Sequence, residues 1–285
     1  MILVTGCNPL GLRLVEALNS DAAKGACDRD CPDIPEGWLT YDVNDEESIS
    51  RLVDELRPSV IILTEQIDGI EYCEQHRMDA MHYNTRAIRF FTEAAQRTGA
   101  RVVYRSTAFV FDGRKPDGMY LETDRVNPID VYAETKLMGE VHTDKVYNFL
   151  VARMGELYGA YPDNFVSHVL EHLQAGEKVE LAQDMYFSPI YIDDATDAIR
   201  MLTVNKMTGF YNVAGPERIS HYDFGRRIAK AFGLSEDLVA PVKSADLGLT
   251  VLMPADTSLD TSKIGPLIRI RGVDEGLAAM KSAMR

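Results

Sequence analysis

The chain has 285 residues, 46% hydrophobic and 26% charged, which is typical of one large soluble domain or of a domain with an appended lobe. Its net charge of −14 argues against nucleic acid and anionic lipid as partners, and no apolar run approaches the ~20 residues that span a bilayer. Because the N-terminus lacks the pattern of a signal peptide, we expect a cytoplasmic protein with neither nucleic acid nor membrane as a partner.

The first predicted element is a strand–turn–helix unit at residues 2–18, where TGCNPLGLRLVEAL follows a short apolar run. The turn resembles a phosphate-binding glycine loop, because Gly6 and Gly11 lie between the strand and the helix. The middle of the loop reads NPL, where such loops usually have another glycine. Pro9 has no N–H to donate, so we expect the loop to admit a nucleotide without being optimised for one.

Strand and helix patterns then alternate through the first half of the chain. The second strand is weak, because residues 19–37 contain almost no apolar run; it is either very short, around Gly25–Cys27, or the edge of the sheet is damaged. Further buried strands are predicted at residues 59–63 and 101–104, and amphipathic helices at residues 44–56 and 84–96. This alternation predicts a parallel sheet covered by helices on both faces.

The four cysteines are Cys7, Cys27, Cys31 and Cys73. They are too few for a disulfide scaffold in a chain of this size. Cys27 and Cys31 also lack the second pair of ligands that a zinc site needs. We therefore expect reduced thiols and no metal site.

The second half of the chain mixes both kinds of pattern. Strands are predicted at residues 148–153 and 209–215, and helices at residues 164–173, 193–202, 222–232 and 273–284. The predicted fold class is α/β, a Rossmann-like doubly wound parallel sheet with a smaller mixed α/β C-terminal substrate lobe. We place the dinucleotide-binding domain at residues 1–150 and the lobe mainly at residues 151–285, with segments returning to the sheet.

The strongest chemical pattern is NPIDVYAETKLMGE at residues 127–140, in which Tyr132 and Lys136 share one face of a helix. A free phenol is a poor proton donor near neutral pH, and an ammonium group close by favours its phenolate form. Upstream, YRSTAFVFDG at residues 104–113 brings Thr107 to the end of a strand. Thr107, Tyr132 and Lys136 form a set suited to ketone reduction: a cofactor gives hydride to carbon, Tyr132 gives a proton to oxygen, and Thr107 polarises the carbonyl.

These motifs resemble those of the extended short-chain dehydrogenases/reductases, and most closely the dTDP-4-dehydrorhamnose reductase group, which includes the regulatory β subunit of methionine adenosyltransferase. STAFVFDG is similar to STDYVFDG in that group, and NPIDVYAETKLMGE to NPLNVYGETKLAGE. ETDRVNP, VAGPERISHYDFGRRIAKAFGL and LDTSKI fit as well, so the resemblance spans nearly the whole chain.

The resemblance implies a catalytic set of Thr107, Tyr132 and Lys136 and a bound NADP(H) or NAD(H). Asp28 would hold the ribose hydroxyls of NAD, or Arg29 the 2′-phosphate of NADP; both remain open, with a lean towards NADP(H). Cofactor contacts are implied for Gly6, Asn8, Pro9, Leu10, Gly11, Asp28, Arg29, Asp42, Val43, Leu63, Thr64, Glu65, Arg105, Tyr132 and Lys136.

Several positions depart from that group. Glu65 replaces a small residue after the fourth strand, and a carboxylate ~4 Å from a phosphate costs up to ~4 kcal/mol at an effective dielectric constant near 20. Among the predicted substrate-binding residues, Ala108, Phe109 and Glu156, the first replaces an aspartate and the last a tryptophan. We therefore expect the substrate to differ from the dTDP-linked ketosugar.

Two functions remain open. The first is NAD(P)H-dependent reduction of a ketone on a sugar nucleotide or another polar small molecule, or a related epimerase activity, supported by the intact catalytic set. The second is a catalytically weak or inactive regulatory subunit that binds a partner enzyme, supported by the altered glycine loop, Glu65 and the weak second strand. A homodimer through the helix of Tyr132 is implied by the resemblance alone.

Overall fold

The computed structural model describes residues 1–18, 22–67 and 69–284. Within these ranges the strands are β1 (Ile2–Thr5), β2 (Ala23–Asp28), β3 (Leu39–Tyr41), β4 (Val60–Leu63), β5 (Arg101–Thr107), β6 (Leu150–Met154), β7 (Leu157–Tyr158), β8 (Val179–Ala182), β9 (Tyr186–Phe187), β10 (Ile190–Tyr191), β11 (Gly209–Val213), β12 (Ile219–Ser220) and β13 (Val239–Val242).

The helices are α1 (Pro9–Ala17), α2 (Glu46–Leu56), α3 (Ile70–Gln75), α4 (Arg77–Met81), α5 (Ala87–Thr98), α6 (Val131–Thr143), α7 (Phe165–Gln174), α8 (Ile192–Val204), α9 (His221–Phe232) and α10 (Val273–Ala283). A π-helical turn at His82–Arg86 joins α4 to α5. None of the helices in the described ranges is both long and apolar enough to cross a membrane.

Seven strands form the central sheet in the order β11-β6-β5-β4-β1-β2-β3. From β3 to β5 each neighbouring pair is parallel, and Ile2 of β1 lies opposite both Ala23 of β2 and Val60 of β4. The strand order reverses at β1: β2 and β3 follow on one side of it, and β4 and β5 on the other. In such sheets, ligands bind at this switch point, at the carboxyl ends of the strands. This order confirms the predicted Rossmann-like fold.

Apolar helix faces cover this sheet. Ile49 and Val53 of α2 and Phe90 and Phe91 of α5 belong to one buried core with the sheet residues, as the 3.6-residue periodicity predicts. The helix expected from residue 44 begins at Glu46 instead, because the Asp45 carboxylate accepts the N–H of Glu47 at 2.9 Å and caps it.

The weak second strand is present as the six residues of β2. Its sequence AKGACD lacks large apolar side chains, but Ala26 and Cys27 are fully buried. Trp38 lies against the strand at Gly25, where an added Cβ would approach the indole to 2.2 Å. The apolar surface that β2 itself lacks is therefore supplied by Trp38, ten positions after the end of the strand.

Residue contacts divide the chain into two compact units. The first comprises Met1–Val110, Pro128–Arg153 and Thr196–Tyr211, and the second comprises Phe111–Asn127, Met154–Ala195 and Asn212–Arg285. The second unit has its own apolar core, in which Phe187 and Phe224 are buried against residues of α7 and α10. Each unit is thus assembled from three separate stretches of the chain.

Candidate active site

The predicted catalytic side chains come from β5 and α6, two elements that pack against each other. Thr107 ends β5 at the carboxyl edge of the sheet and is 6% exposed. Tyr132 and Lys136 lie on the first two turns of α6, which begins after Asp130 because its carboxylate accepts the N–H of Ala133 at 2.8 Å. The structure thus brings three residues that are up to 29 positions apart in the sequence to one region of the sheet edge.

Lys136 has a completely buried side chain. Its Nζ donates a hydrogen bond of 2.6 Å to the backbone carbonyl of Arg105 and lies 4.5 Å from the ring centroid of Tyr104. This anchors the ammonium group beside the last residues of β5. A buried cation held there favours a negative charge on a neighbouring phenol oxygen.

A buried ion pair fixes the position of α6. The Glu140 carboxylate accepts two hydrogen bonds from the Arg153 guanidinium, at 3.0 and 2.9 Å, and both side chains are at most 5% exposed. The Ser106 hydroxyl donates a third bond to Glu140. Because Ser106 precedes Thr107 directly, this network links α6 to the strand that carries Thr107.

The glycine loop packs closely against the end of β4. Gly6 has φ of +96°, a conformation that favours glycine, and a Cβ on Gly11 would lie 1.9 Å from the Gly6 carbonyl oxygen. The Asn8 side chain accepts the N–H of Gly11 at 3.0 Å and donates to the Thr64 carbonyl at 2.9 Å. Pro9, the first residue of α1, has no N–H, and the N–H of Gly11 is bonded to Asn8. Two backbone donors that could face a phosphate are therefore absent or already bonded within the protein.

Two further residues implied in cofactor binding, Asp28 and Arg29, lie at the end of β2. The carboxylate of Asp28 is buried, and its two oxygens accept hydrogen bonds from the Val43 N–H at 3.1 Å and the Tyr83 hydroxyl at 2.5 Å. Arg29 is 62% exposed and pairs with Asp42 at 2.6 Å. Asp28 is thus held by the protein, whereas the guanidinium of Arg29 is open to solvent.

Leu63, the last residue of β4, is fully buried, and Thr64 and Glu65 follow it. Glu65 accepts a hydrogen bond from the Tyr41 hydroxyl. Burial and the nearby Asp28 carboxylate raise the pKa of Glu65 to about 8. A raised pKa favours the neutral acid, which would reduce the repulsion expected between Glu65 and a phosphate. Glu65 shares the carboxyl edge of the sheet with Asp28 and Tyr41.

The expectation of reduced thiols is wrong for two of the four cysteines. Cys7 of the glycine loop and Cys31 of the turn after β2 form a disulfide across 24 positions of sequence. Cys27 and Cys73 are buried thiols outside this disulfide, and the sulfur atoms of Cys7, Cys27 and Cys31 all lie within 4.8 Å of one another. Spacing along the chain gave no sign of this convergence, which arises because β1 and β2 are adjacent in the sheet.

The sequence profile described as RmlD substrate binding domain matches residues 1–284. The chain belongs to this family. It is 26% identical to the dTDP-4-dehydrorhamnose reductase of Aggregatibacter actinomycetemcomitans over 82% of the chain and 83% of that protein. It is also 26% identical to methionine adenosyltransferase 2 subunit beta of Danio rerio, over 87% of the chain and 77% of that protein.

Solved structures agree with this membership. A dTDP-4-dehydrorhamnose reductase from Bacillus anthracis, in complex with NADP, has a TM-score of 0.88 at 25% identity and covers 99% of this chain and 98% of its own. A hypothetical dTDP-4-dehydrorhamnose reductase from Sulfolobus tokodaii has a TM-score of 0.85 at 30% identity and covers 94% and 95%. The expected relationship to the dTDP-4-dehydrorhamnose reductase group is confirmed, and the chain is a member of an NAD(P)-dependent oxidoreductase family.

The predicted substrate positions of this RmlD-type chain differ in accessibility. Ala108 is buried in a short 3-10 turn after β5, and Phe109 is half-buried with its ring 6.0 Å from that of Tyr132. Glu156, between β6 and β7, is an exposed residue overall, and desolvation of its carboxyl group raises its pKa to about 7. Of the three, Phe109 has its ring packed edge-on against that of Tyr132.

Sequence reasoning missed several residues that shape the site. Tyr41 and Tyr83 bond the carboxyl groups of Glu65 and Asp28, yet in the sequence they are ordinary aromatic residues near predicted elements. Glu140 ends the motif that contains Tyr132, so its place in that motif was an available signal. Only the fold shows that these residues meet.

Proposed function

We propose that this chain catalyses the NAD(P)H-dependent reduction of a ketone on a sugar nucleotide or a similar polar small molecule, with Tyr132 as the proton donor. The observation that carries the proposal is the buried ammonium of Lys136, held at the end of β5 one helical turn from Tyr132. A positive charge held at this place stabilises the phenolate form of a neighbouring tyrosine, which is the form that remains after proton transfer.

Each side chain has a defined task. When bound, the reduced nicotinamide would supply hydride to the carbonyl carbon. The Thr107 hydroxyl polarises the carbonyl, and Tyr132 transfers its proton to the oxygen. The Lys136 ammonium stabilises the phenolate that remains, and its bond to the Arg105 carbonyl holds it at the required place.

The residues present fit a dinucleotide at its nicotinamide end, and its adenosine end requires rearrangement. The oxygens of Asp28 are engaged by Val43 and Tyr83, so they are poorly available to ribose hydroxyls. Arg29 is exposed and can exchange Asp42 for a 2′-phosphate. We therefore favour NADP(H) over NAD(H). NADP is also the ligand of the Bacillus anthracis relative.

The proposal is tested first by cofactor titration. Trp38, the single tryptophan, packs on β2 at Gly25 and reports on the strand that carries Asp28. We expect NADPH to quench its fluorescence with micromolar affinity and NADH to bind more weakly. A panel of 4-keto sugar nucleotides with different bases then identifies the substrate by consumption of NADPH. Absence of binding at millimolar concentrations of both cofactors, with and without dithiothreitol, would refute the reductase assignment.

The second candidate, a regulatory subunit, is favoured by one observation: the polar groups of the adenosine side bond each other within the protein. The relative from Danio rerio is a subunit of an adenosyltransferase by its name. A pull-down with wild-type protein and a Tyr132→Phe control distinguishes the two functions. The regulatory function requires a stable partner whose binding is unaffected by this substitution, in a chain without reductase activity.

A further inference from the structure

The disulfide occupies a place with functional consequences. Cys7 directly follows Gly6 in the glycine loop, and Cys31 is the third residue after Asp28 at the end of β2. In doubly wound sheets the pyrophosphate of a dinucleotide binds at the helix after the first strand, and its ribose binds at the end of the second strand. The bond therefore joins the two segments between which the adenosine ribose has to enter.

The two segments leave the sheet side by side. Thr5 pairs with Ala26 in the parallel register of β1 and β2, and the Gly6 N–H donates to the Ala26 carbonyl at 2.9 Å. A covalent bond between the two following turns consequently limits how far they can separate. We propose that Cys7 and Cys31 form a thiol–disulfide switch that closes the adenosine side of the cofactor site when oxidised and opens it when reduced. This inference rests on the proposed cofactor-dependent function.

The polar groups around the disulfide support a closed state. Tyr41 bonds Glu65 and Tyr83 bonds Asp28, so both carboxyl groups have hydrogen-bond partners within the protein. The Arg29–Asp42 pair likewise engages the guanidinium that would meet a 2′-phosphate. Separation of the turns allows these contacts to be exchanged for contacts with a dinucleotide.

The chemistry of the switch is ordinary thiol–disulfide exchange. Cys7 and Cys31 are half-buried, so a dithiol of the thioredoxin class can attack one of the two sulfurs. A mixed disulfide forms and the first cysteine leaves as a thiolate. The second thiol of the dithiol then releases the other cysteine. Two electrons pass from the dithiol, which becomes a disulfide, and both protein thiolates take up protons.

The third cysteine does not take part in this exchange. Cys27 is fully buried in β2. Burial and the carboxyl groups of Glu65 and Asp28 raise its pKa to about 11, so its thiol stays protonated at neutral pH. Because the thiolate is the attacking species, the Cys7–Cys31 bond persists beside Cys27 until an external dithiol arrives.

The test measures NADPH and NADH affinity by calorimetry on the full chain in two states. Wild-type protein is oxidised with glutathione disulfide or reduced with dithiothreitol, with a chelator present to exclude metal capture by the thiols. Alkylation and mass spectrometry assign the redox state of each cysteine. Cys31→Ser removes the bond, and Cys73→Ala is the matched control, because Cys73 is a buried thiol of α3 that does not belong to the disulfide.

We expect the reduced protein to bind NADPH at least tenfold more tightly than the oxidised protein. Cys31→Ser should bind like reduced wild type under both conditions, and Cys73→Ala should respond like wild type. Equal affinity in both states, with the disulfide verified, would overturn the switch and leave the reductase proposal standing. Failure of the folded chain to form the Cys7–Cys31 bond would have the same consequence. Absence of binding in every state, Cys31→Ser included, would overturn both proposals.

Discussion

Glu65 makes the stability of the protein depend on pH in a direction opposite to that of an ordinary surface carboxylate. Its pKa is about 8 in the folded chain and 4.5 in its unperturbed form, owing first to burial and then to Asp28. Between these values the native state binds a proton that the unfolded chain has lost, so stability falls as pH rises. At about 1.4 kcal/mol per pH unit, raising the pH from 5.5 to 8 should remove up to about 3 kcal/mol of the free energy of unfolding.

The substitution Glu65→Gln isolates this effect. Glutamine keeps the size of the protonated acid and an oxygen that can accept the Tyr41 hydroxyl, but it does not titrate. We expect the variant to lose far less stability than wild type over this pH range in urea denaturation followed by Trp38 fluorescence. Glu55→Gln is the control, because Glu55 is an exposed glutamate of the same unit. Parallel pH profiles for wild type and Glu65→Gln would refute a buried, protonated Glu65.

Three further outcomes are expected. Tyr132→Phe should reduce ketone reduction about 100-fold or more with little change in NADPH affinity by calorimetry, because only the proton donor is removed. Arg153→Met should lower the free energy of unfolding by about 3–5 kcal/mol, because it leaves Glu140 buried without its cation. Arg29→Ser should weaken NADPH binding about tenfold and leave NADH binding nearly unchanged, since only the former carries a 2′-phosphate.

Each outcome has a result that contradicts it. Undiminished turnover by Tyr132→Phe would discard the assigned proton donor. Restored stability is expected when Glu140→Gln is added to Arg153→Met, and a double variant no more stable than the single one would show that the buried charge is not the cause. Equal loss of NADPH and NADH affinity in Arg29→Ser would place that residue away from the 2′-phosphate.

Much of the fold followed from local patterns. The strands β4 and β5 and the helices α5 and α9 lie within a few residues of their predicted positions, because their apolar periodicity matches the faces that they bury. The placement of Tyr132 and Lys136 on one helix was also predictable, since they are separated by one helical turn. The length of β2 was not, because Trp38 provides the apolar cover that its own sequence lacks.

The sequence by itself determined the alternation of the main strands and helices, the family, and the residues that form the proposed catalytic set, because these depend on periodicity and on short motifs. Only the tertiary structure decided the state of the adenosine side. Cys7 meets Cys31, and Glu65 meets Tyr41, because parallel strands that are distant in sequence end at the same edge of the sheet. Burial at that edge then raises the pKa of Glu65, and burial depends on the whole fold rather than on neighbouring residues.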